Sequence, residues 1–277
     1  MEYDMAEKQK MRADQMLVSL GLAGSREKAQ ALIMAGLVYL DEVQVRKPST
    51  PVKDTNHLIV RTPKVSYVSR GALKLVKGLD AFGVDPAERI AMDVGASTGG
   101  FTDVLLQRGA AHVYSIDVGY GQLDWKIRND PRVTVMERTN ARYLTPDMIE
   151  MKPSLCVMDV SFISITKILP GICGIIGDEG EIITLIKPQF EAGREHVGKK
   201  GVVRDAAVHE MVIRNILEFV NGTLLWACKA LTFSPIRGPE GNIEFLAHLV
   251  KSSEQRVSDD EIRRVVSEAH STLSEEN

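Results

Sequence analysis

The stretch Asp93-Val94-Gly95-Ala96-Ser97-Thr98-Gly99-Gly100-Phe101 lies between two apolar runs. The first, Ile90 to Val94, reads as a buried strand, and the second, Phe101 to Gln107, as an amphipathic helix. Strand, glycine-rich turn and helix together open a nucleotide-binding α/β sheet, in which glycines let the backbone approach a ligand at the helix N-terminus. A dinucleotide fingerprint needs G-x-G-x-x-G; here Ser97 takes the second glycine's place, and Gly99-Gly100 come too early for the third. The spacing D-x-G-x-S-x-G fits better a loop around the methionine half of S-adenosylmethionine, a ligand without a pyrophosphate. It predicts Asp93, Gly95, Ala96, Ser97, Gly99, Gly100 and Phe101 as cofactor contacts. The next strand candidate, Val113 to Asp117, ends in an acid suited to accept hydrogen bonds from ribose hydroxyls, and Asn140 follows the strand after it. The bland alternative is an ordinary tight turn in a parallel α/β protein; Asp117 weighs against it.

The 277 residues allow one large domain and a small one. No apolar run approaches the ~20 residues of a membrane span, and the charged first residues lack the apolar core of a signal peptide. Cys156, Cys173 and Cys228 are widely spaced in apolar surroundings, which predicts no metal site and reduced thiols in a cytoplasmic protein. Net charge is only −3 but unevenly spread: residues 8–77 hold thirteen Lys and Arg against five Asp and Glu, a net of +8. From Leu79 onward the count is twenty-one against twenty-nine, a net of −8. The asymmetry suggests a basic module that meets a polyanion, with a solvated lysine-rich surface as the alternative.

Along the chain, Arg12 to Leu20 and Arg26 to Ala35 read as two helices, the second capped by Ser25, each followed by glycine. Short strands at 37–40, 43–45 and 58–60 follow, with a turn at Asp41-Glu42. Ser69 is expected to cap a helix over residues 70–82 whose apolar stripe leaves the Lys74 amine free to reach a site. Beyond the glycine loop, strand and helix candidates alternate: 133–136, 155–160, helix 165–175, 181–186, helix 206–221, then an apparent hairpin of 223–233 with 243–250. Alternation of this kind means a mostly parallel sheet with helices on both faces. The expected domains are 8–61, a linker at 62–68, a catalytic domain over 69–252, and a C-terminal helix within 253–277.

Ligands in open α/β sheets gather beyond the carboxyl ends of the strands. Asp159 and Lys187 each end a buried apolar strand, and Glu244 sits within the apolar run 243–250. Charges in such places work or are paired; each alone could be a structural ion-pair member. In order and context, Lys74, Asp159, Lys187 and Glu244 resemble the Lys-Asp-Lys-Glu tetrad of the FtsJ class of RNA ribose 2′-O-methyltransferases. The stretches Ser69 to Leu75, Lys187 to Gly193 and Gly201 to Asp205 are similar to one subgroup, the TlyA or haemolysin A family. Residues 12–38 resemble its N-terminal alpha-L RNA-binding domain, with Ala13 where that domain usually has leucine.

The resemblance covers almost the whole chain. It implies an α/β, Rossmann-like methyltransferase domain, with a mostly parallel sheet and a terminal antiparallel strand, behind a small α+β RNA-binding domain. It implies S-adenosylmethionine as cofactor and cytidine 2′-O-methylation of ribosomal RNA, in the large subunit and for some members the small one. Ribosomal RNA or ribosomal subunits are the implied partners, with no membrane and no metal. Arg12, Arg26, Lys28, Arg46, Lys47 and Arg70 are the basic residues expected on RNA. Arg194, Lys199 and Lys200 join them from a glycine-rich loop at 188–204, which is expected to act as a mobile lid with little apolar anchoring.

Methyl transfer needs the ribose hydroxyl in line with the S-methyl group, so positioning supplies much of the rate. Lys187 is either the base that takes the hydroxyl proton, helped by repulsion from a nearby Lys74, or a charged lysine that orients the hydroxyl and stabilises the alkoxide. Asp159 would hold Lys187 and face the methyl donor, while Lys74 and Glu244 set the ribose. Two other classes compete: a cytolysin, which needs a spanning or amphipathic membrane element, and a non-catalytic RNA-binding assembly factor on a methyltransferase fold.

Overall fold

The computed structural model describes residues 11–34, 36–52, 57–60, 66–252, 254 and 256–274. The chain forms two compact units, Met1–Ser66 and Tyr67–Asn277. Residues 61–65, most of the expected linker, lie outside the described residues.

In the first unit, β1 (Met11–Arg12), α1 (Ala13–Ser19), α2 (Arg26–Met34), β2 (Val38–Leu40), β3 (Val43–Gln44), β4 (Pro51–Val52) and β5 (Leu58–Val60) enclose a small core. That core is built from Leu17, Ala29, Ile33, Val38, Val52 and Leu58 among others. Ser25 caps α2 as expected, its Oγ accepting from Lys28 N at 3.3 Å. Asp41 and Glu42 both have positive φ, 49° and 66°, the geometry that joins twisted strands through two residues. The β1–β4 pairing, Met11 with Val52 and Arg12 with Pro51, has no counterpart among the sequence expectations. A two-residue ladder between segments forty positions apart carries no local pattern.

Arg12 and Arg26 do not simply face solvent. Both bind the fully buried carboxylate of Asp14, at 3.0 and 3.1 Å, and Gln30 donates to the same group at 3.0 Å. The Arg12 bond, with those from Gln30 and Arg26, outweighs burial and holds the Asp14 carboxyl well below the usual range.

The second unit holds α3 (Ala72–Phe82), β6 (Ile90–Val94), α4 (Gly100–Gln107), β7 (His112–Ile116), α5 (Trp125–Arg128), β8 (Val133–Met136), β9 (Leu155–Met158) and α6 (Leu169–Ile176). It continues with β10 (Glu181–Ile186), α7 (Pro188–Glu191), α8 (Ala206–Leu224), β11 (Ala227–Phe233), β12 (Phe245–Val250) and α9 (Asp259–Ser274). Seven strands form one sheet in the order β11-β12-β10-β9-β6-β7-β8. All neighbours are parallel except β12, the last strand in sequence, which slots antiparallel between β10 and β11. One face is covered by α3, α4 and α5 through Leu75, Leu79, Val104, Leu105 and Ile127, and the other by α6, α8 and α9 through Ile172, Ile213, Ile216, Ile262 and Val265. Strand order reverses at β6, with β7 and β8 added on one side and β9 and β10 on the other, so the crevice of a doubly wound sheet opens at the carboxyl ends of β6 and β9.

Several local expectations are corrected. Ser69 does not cap α3: its carbonyl, not its hydroxyl, takes the Ala72 amide, and the helix starts from Gly71 with no side-chain cap. Pro170 splits the helix expected at 165–175 into a 3₁₀ turn, Ile165–Lys167, and α6. Thr223 and Leu224 continue α8, which stops at the left-handed Leu225. Among the described residues no helix is long and apolar enough to cross a membrane, and no cluster of three or more His, Cys, Asp or Glu could hold a metal.

Candidate active site

Gly95 follows β6 with φ 87°, and its amide bonds to Ile116 O at 2.8 Å. A Cβ there would run into the backbone carbonyl of Asp159, so glycine lets the ends of β6 and β9 close on each other. Ser97 also has positive φ, 49°, which aims its amide at Asp117 Oδ2, 2.8 Å away; Gly119 N donates to Oδ1 at 2.7 Å. With each carboxylate oxygen taking only one N–H, Asp117 keeps lone pairs for further donors. Asn140 accepts from Arg142 N at the start of a 3₁₀ turn.

These residues line a cavity of about 460 Å³, with Val94, Ile116, Val118, Gln122, Thr139 and the segment from Asp159 to Ile163. Of the sequence-predicted cofactor contacts, Gly95, Ser97, Asp117, Asn140 and Asp159 are brought together in it. Asp93, Ala96, Gly99, Gly100 and Phe101 are not in its lining. Gly99 abuts Leu123 and Ile127, and Gly100 lies so close to Ser69 that a Cβ would collide with its hydroxyl; these glycines serve helix packing. Asp93 is fully buried, and its Oδ2 takes both the amide and the hydroxyl of Thr102, at 2.9 and 2.7 Å. Burial, partly offset by Thr102, pushes its carboxyl up to about 7.

Beside the cavity the four charged residues singled out from the sequence converge. Lys74 Nζ lies 2.6 Å from Glu244 Oε2 and 3.5 Å from Asp159 Oδ2, and Lys187 Nζ lies 2.5 Å from Asp159 Oδ1. Asp159 is therefore shared by two ammonium groups, and two positive charges face two negative ones. Lys74 is not free: it is 6% exposed, and although burial pulls its pKa down, Asp159 and Glu244 outweigh that and raise it. Glu244, 1% exposed, directly precedes β12 instead of lying inside a strand.

Sequence reasoning missed Ser161, whose Oγ accepts from Lys187 Nζ at 2.9 Å, and Phe162. Phe162 is 91% exposed with φ 65°, and its ring lies 5.2 Å from that of Phe190. A large apolar residue held in a left-handed conformation is strained, and its exposure beside the cavity makes it a candidate contact for a ligand. The only sequence signal was its place just past a charged strand end.

The 188–204 segment is more firmly held than expected. Glu191 accepts from Ser164 Oγ and Ile165 N, at 2.6 and 2.8 Å, and burial raises its pKa against those bonds. Val202 and Val203 are buried, and Val203 N donates to Asn242 Oδ1 at 3.0 Å. Arg194, Lys199 and Lys200 are exposed, and His196, Lys199, Lys200 and Arg204 line a second cavity of about 400 Å³. Lys28, Arg46, Lys47 and Arg70 are also exposed.

Residues 67–251 match the model of the FtsJ-like methyltransferases. The chain belongs to that family. Residues 11–59 match an S4 domain. A Bacillus subtilis protein named as a candidate rRNA methyltransferase, YqxC, is 49% identical over 96% of each chain. The 16S/23S rRNA (cytidine-2′-O)-methyltransferase TlyA of Mycobacterium tuberculosis is 46% identical over 93% of this chain and 97% of its own. A solved hemolysin-family structure from Streptococcus thermophilus superposes with a TM-score of 0.74 at 44% identity, over 97% of this chain and 98% of that one. The cavity at the reversal of strand order and the four converging charges lie side by side at the carboxyl edge of the sheet.

Proposed function

We propose that this protein transfers a methyl group from S-adenosylmethionine to the ribose 2′-hydroxyl of a cytidine in ribosomal RNA, acting in the cytoplasm on 23S RNA and also on 16S RNA. The observation that carries this reading is the Asp159 carboxylate, held between Lys187 and Lys74 at the wall of a cavity that also contains Asp117 and Asn140. At about 460 Å³ the cavity suits a small-molecule cofactor. Asp117 would take the ribose hydroxyls, the apolar Ile116, Val118 and Ile168 would flank the base, and Asp159 would face the cationic sulfur. When bound, S-adenosylmethionine supplies an electrophilic methyl group.

The remaining work belongs to side chains of this chain. Lys187, fixed by Asp159 and Ser161, directs the ribose hydroxyl and stabilises the negative charge that grows on its oxygen as the hydroxyl proton leaves to water. Lys74, fixed by Glu244 and Asp159, completes a rigid frame that needs no reorganisation as charge develops. Phe162 and Phe190 offer an apolar face on which a nucleobase can stack. Arg70, Arg194, Lys199, Lys200 and the basic residues of the S4 domain would meet RNA phosphates.

Incubation of the protein with labelled S-adenosylmethionine and ribosomal subunits, followed by primer extension at low nucleotide concentration, is expected to give a 2′-O-methyl stop at a cytidine in 23S RNA and another in 16S RNA. Transfer to no subunit, or to a base nitrogen or carbon, would overturn the assignment. The hemolysin name carried by the Streptococcus structure is tested in parallel with detergent-free protein on erythrocytes. Lysis without methyl transfer would replace the present reading.

Gly95→Val gives a second check on the cavity. Its side chain would push against the Asp159 carbonyl, so both cofactor binding and turnover are expected to be lost. Wild-type affinity for S-adenosylmethionine in this variant, measured calorimetrically, would show that the cavity is not the cofactor site.

A further inference from the structure

The C-terminal helix α9 lies outside the four-charge site, yet two hydrogen-bond chains run from it to the turn just before Glu244. His270 on α9 meets His209 on α8, Nε2 to Nδ1 at 2.9 Å, and His209 Nε2 meets Val203 O at 3.1 Å. A carbonyl only accepts, so His209 carries its proton on Nε2, and its bare Nδ1 must accept from His270. The His209 ring is then neutral; burial, with the neighbouring His270, lowers it to about 4. Val203 in turn donates its amide to Asn242, whose Nδ2 donates to Gly201 O at 2.9 Å. Asn242 is 2% exposed and stands two residues before Glu244.

The second chain runs through Arg237. Its guanidinium donates to Leu273 O at the end of α9, at 3.0 Å, and to Gly241 O at 2.8 Å. Gly241 closes a turn on Gly238, and a Cβ at Gly238 would sit 2.6 Å from Glu244 Oε1. The turn that Arg237 ties to α9 therefore packs directly on the catalytic carboxylate. The two chains meet at Asn242, which joins the 201–203 backbone to the turn before Glu244.

We propose that α9 is a brace for methyl transfer, and that His270, His209 and Arg237 are positioning residues that set Glu244, and through it Lys74. The proposal deepens the function proposed above and rests on it for its kinetic test. The apolar packing of α9 rests on Ile262, Val265, Val266, Ala269 and Leu273. The bonds of the two chains instead converge on the backbone around Glu244.

The test compares His270→Phe, which keeps a ring but has no donor, with His270→Gln, whose amide can still donate to His209. Arg237→Met removes the second chain. His270→Phe and Arg237→Met are each expected to lower kcat about tenfold, the order of one lost hydrogen bond at about 1.4 kcal/mol. KM for ribosomal subunits and affinity for S-adenosylmethionine should stay near wild type, and His270→Gln should recover most of the loss. Unchanged kcat in both variants, or a loss that follows Tm and cofactor affinity in parallel, would overturn the brace. Hydrogen exchange supplies a readout that does not depend on activity. Faster exchange at the Val203 and Gly241 to Glu244 amides in His270→Phe and Arg237→Met supports the proposal even if ribosomal RNA proves not to be the substrate. Exchange as slow as in wild type refutes it.

Discussion

Replacing Lys187 with alanine is expected to reduce methyl transfer at least ~100-fold, within the range for loss of a group that acts on the transferred proton or the developing oxyanion. Affinity for S-adenosylmethionine should stay close to wild type. The reason is spatial: Lys187 contacts Asp159 and Ser161 and does not line the cavity assigned to the cofactor. Its removal leaves Asp159 paired with Lys74, so the site does not acquire an isolated buried carboxylate. Lys187→Met, nearer in volume, controls for packing and should lose activity equally. Lys74 is a poorer probe, because Lys74→Ala would strand Glu244, 1% exposed, without its cation; breaking such a pair costs about 3–5 kcal/mol of stability. Transfer by Lys187→Ala within tenfold of wild type would remove Lys187 from the mechanism.

The second large effect lies in the first unit. Reversing Lys28, Arg46 and Lys47 together to glutamate is expected to weaken binding to ribosomal RNA by at least about tenfold and to flatten its salt dependence. Each phosphate contact contributes a slope of about 0.7–0.9 in log K against log salt, so three lost contacts amount to roughly 2–3. Cofactor affinity should not change, since these residues belong to a unit with its own core. Arg12 and Arg26 are the wrong targets for this experiment, despite being the residues the charge count points to first. Each holds the buried Asp14, so a reversal there would unfold the unit and imitate lost RNA binding. The Asp14 carboxyl is lowered in the folded state, so its contribution is complete above the ordinary carboxylate pKa of ~3.9 and fades as pH falls below it. An unchanged salt slope in the triple variant, measured on the folded protein, would show that these three side chains do not carry the RNA contacts.

The architecture, and the four charges that meet beside the cavity, are legible in the chain alone. Apolar runs mark β6, β7, β9 and β10 because a strand buried on both faces must be largely apolar. For the same reason a lysine or aspartate at the end of such a run stands out, and so Asp159 and Lys187 are recognisable as site residues from their position in the sequence. Glu244 stands out in the same way within the apolar run 243–250, whereas Lys74 is recognisable only through its order and context.

What each of these groups touches follows only from the folded arrangement. Asp159 is shared between two lysines, so Lys74 and Lys187 meet across a carboxylate. The glycine loop divides: Gly95 and Ser97 reach the cavity, whereas Gly99 and Gly100 let helices approach each other. In the sequence the three glycines look alike, because a glycine records only that space is short, not which neighbour takes it. Arg12 and Arg26 count as free positive charge in any tally, and only the fold brings Asp14, Gln30 and the two guanidiniums together. The bonds of His209, His270 and Arg237 span from 4 to 61 positions along the chain. A bond across 61 residues leaves no trace in local periodicity. That is why the C-terminal helix reads from sequence as an amphipathic tail and from structure as a support for Glu244.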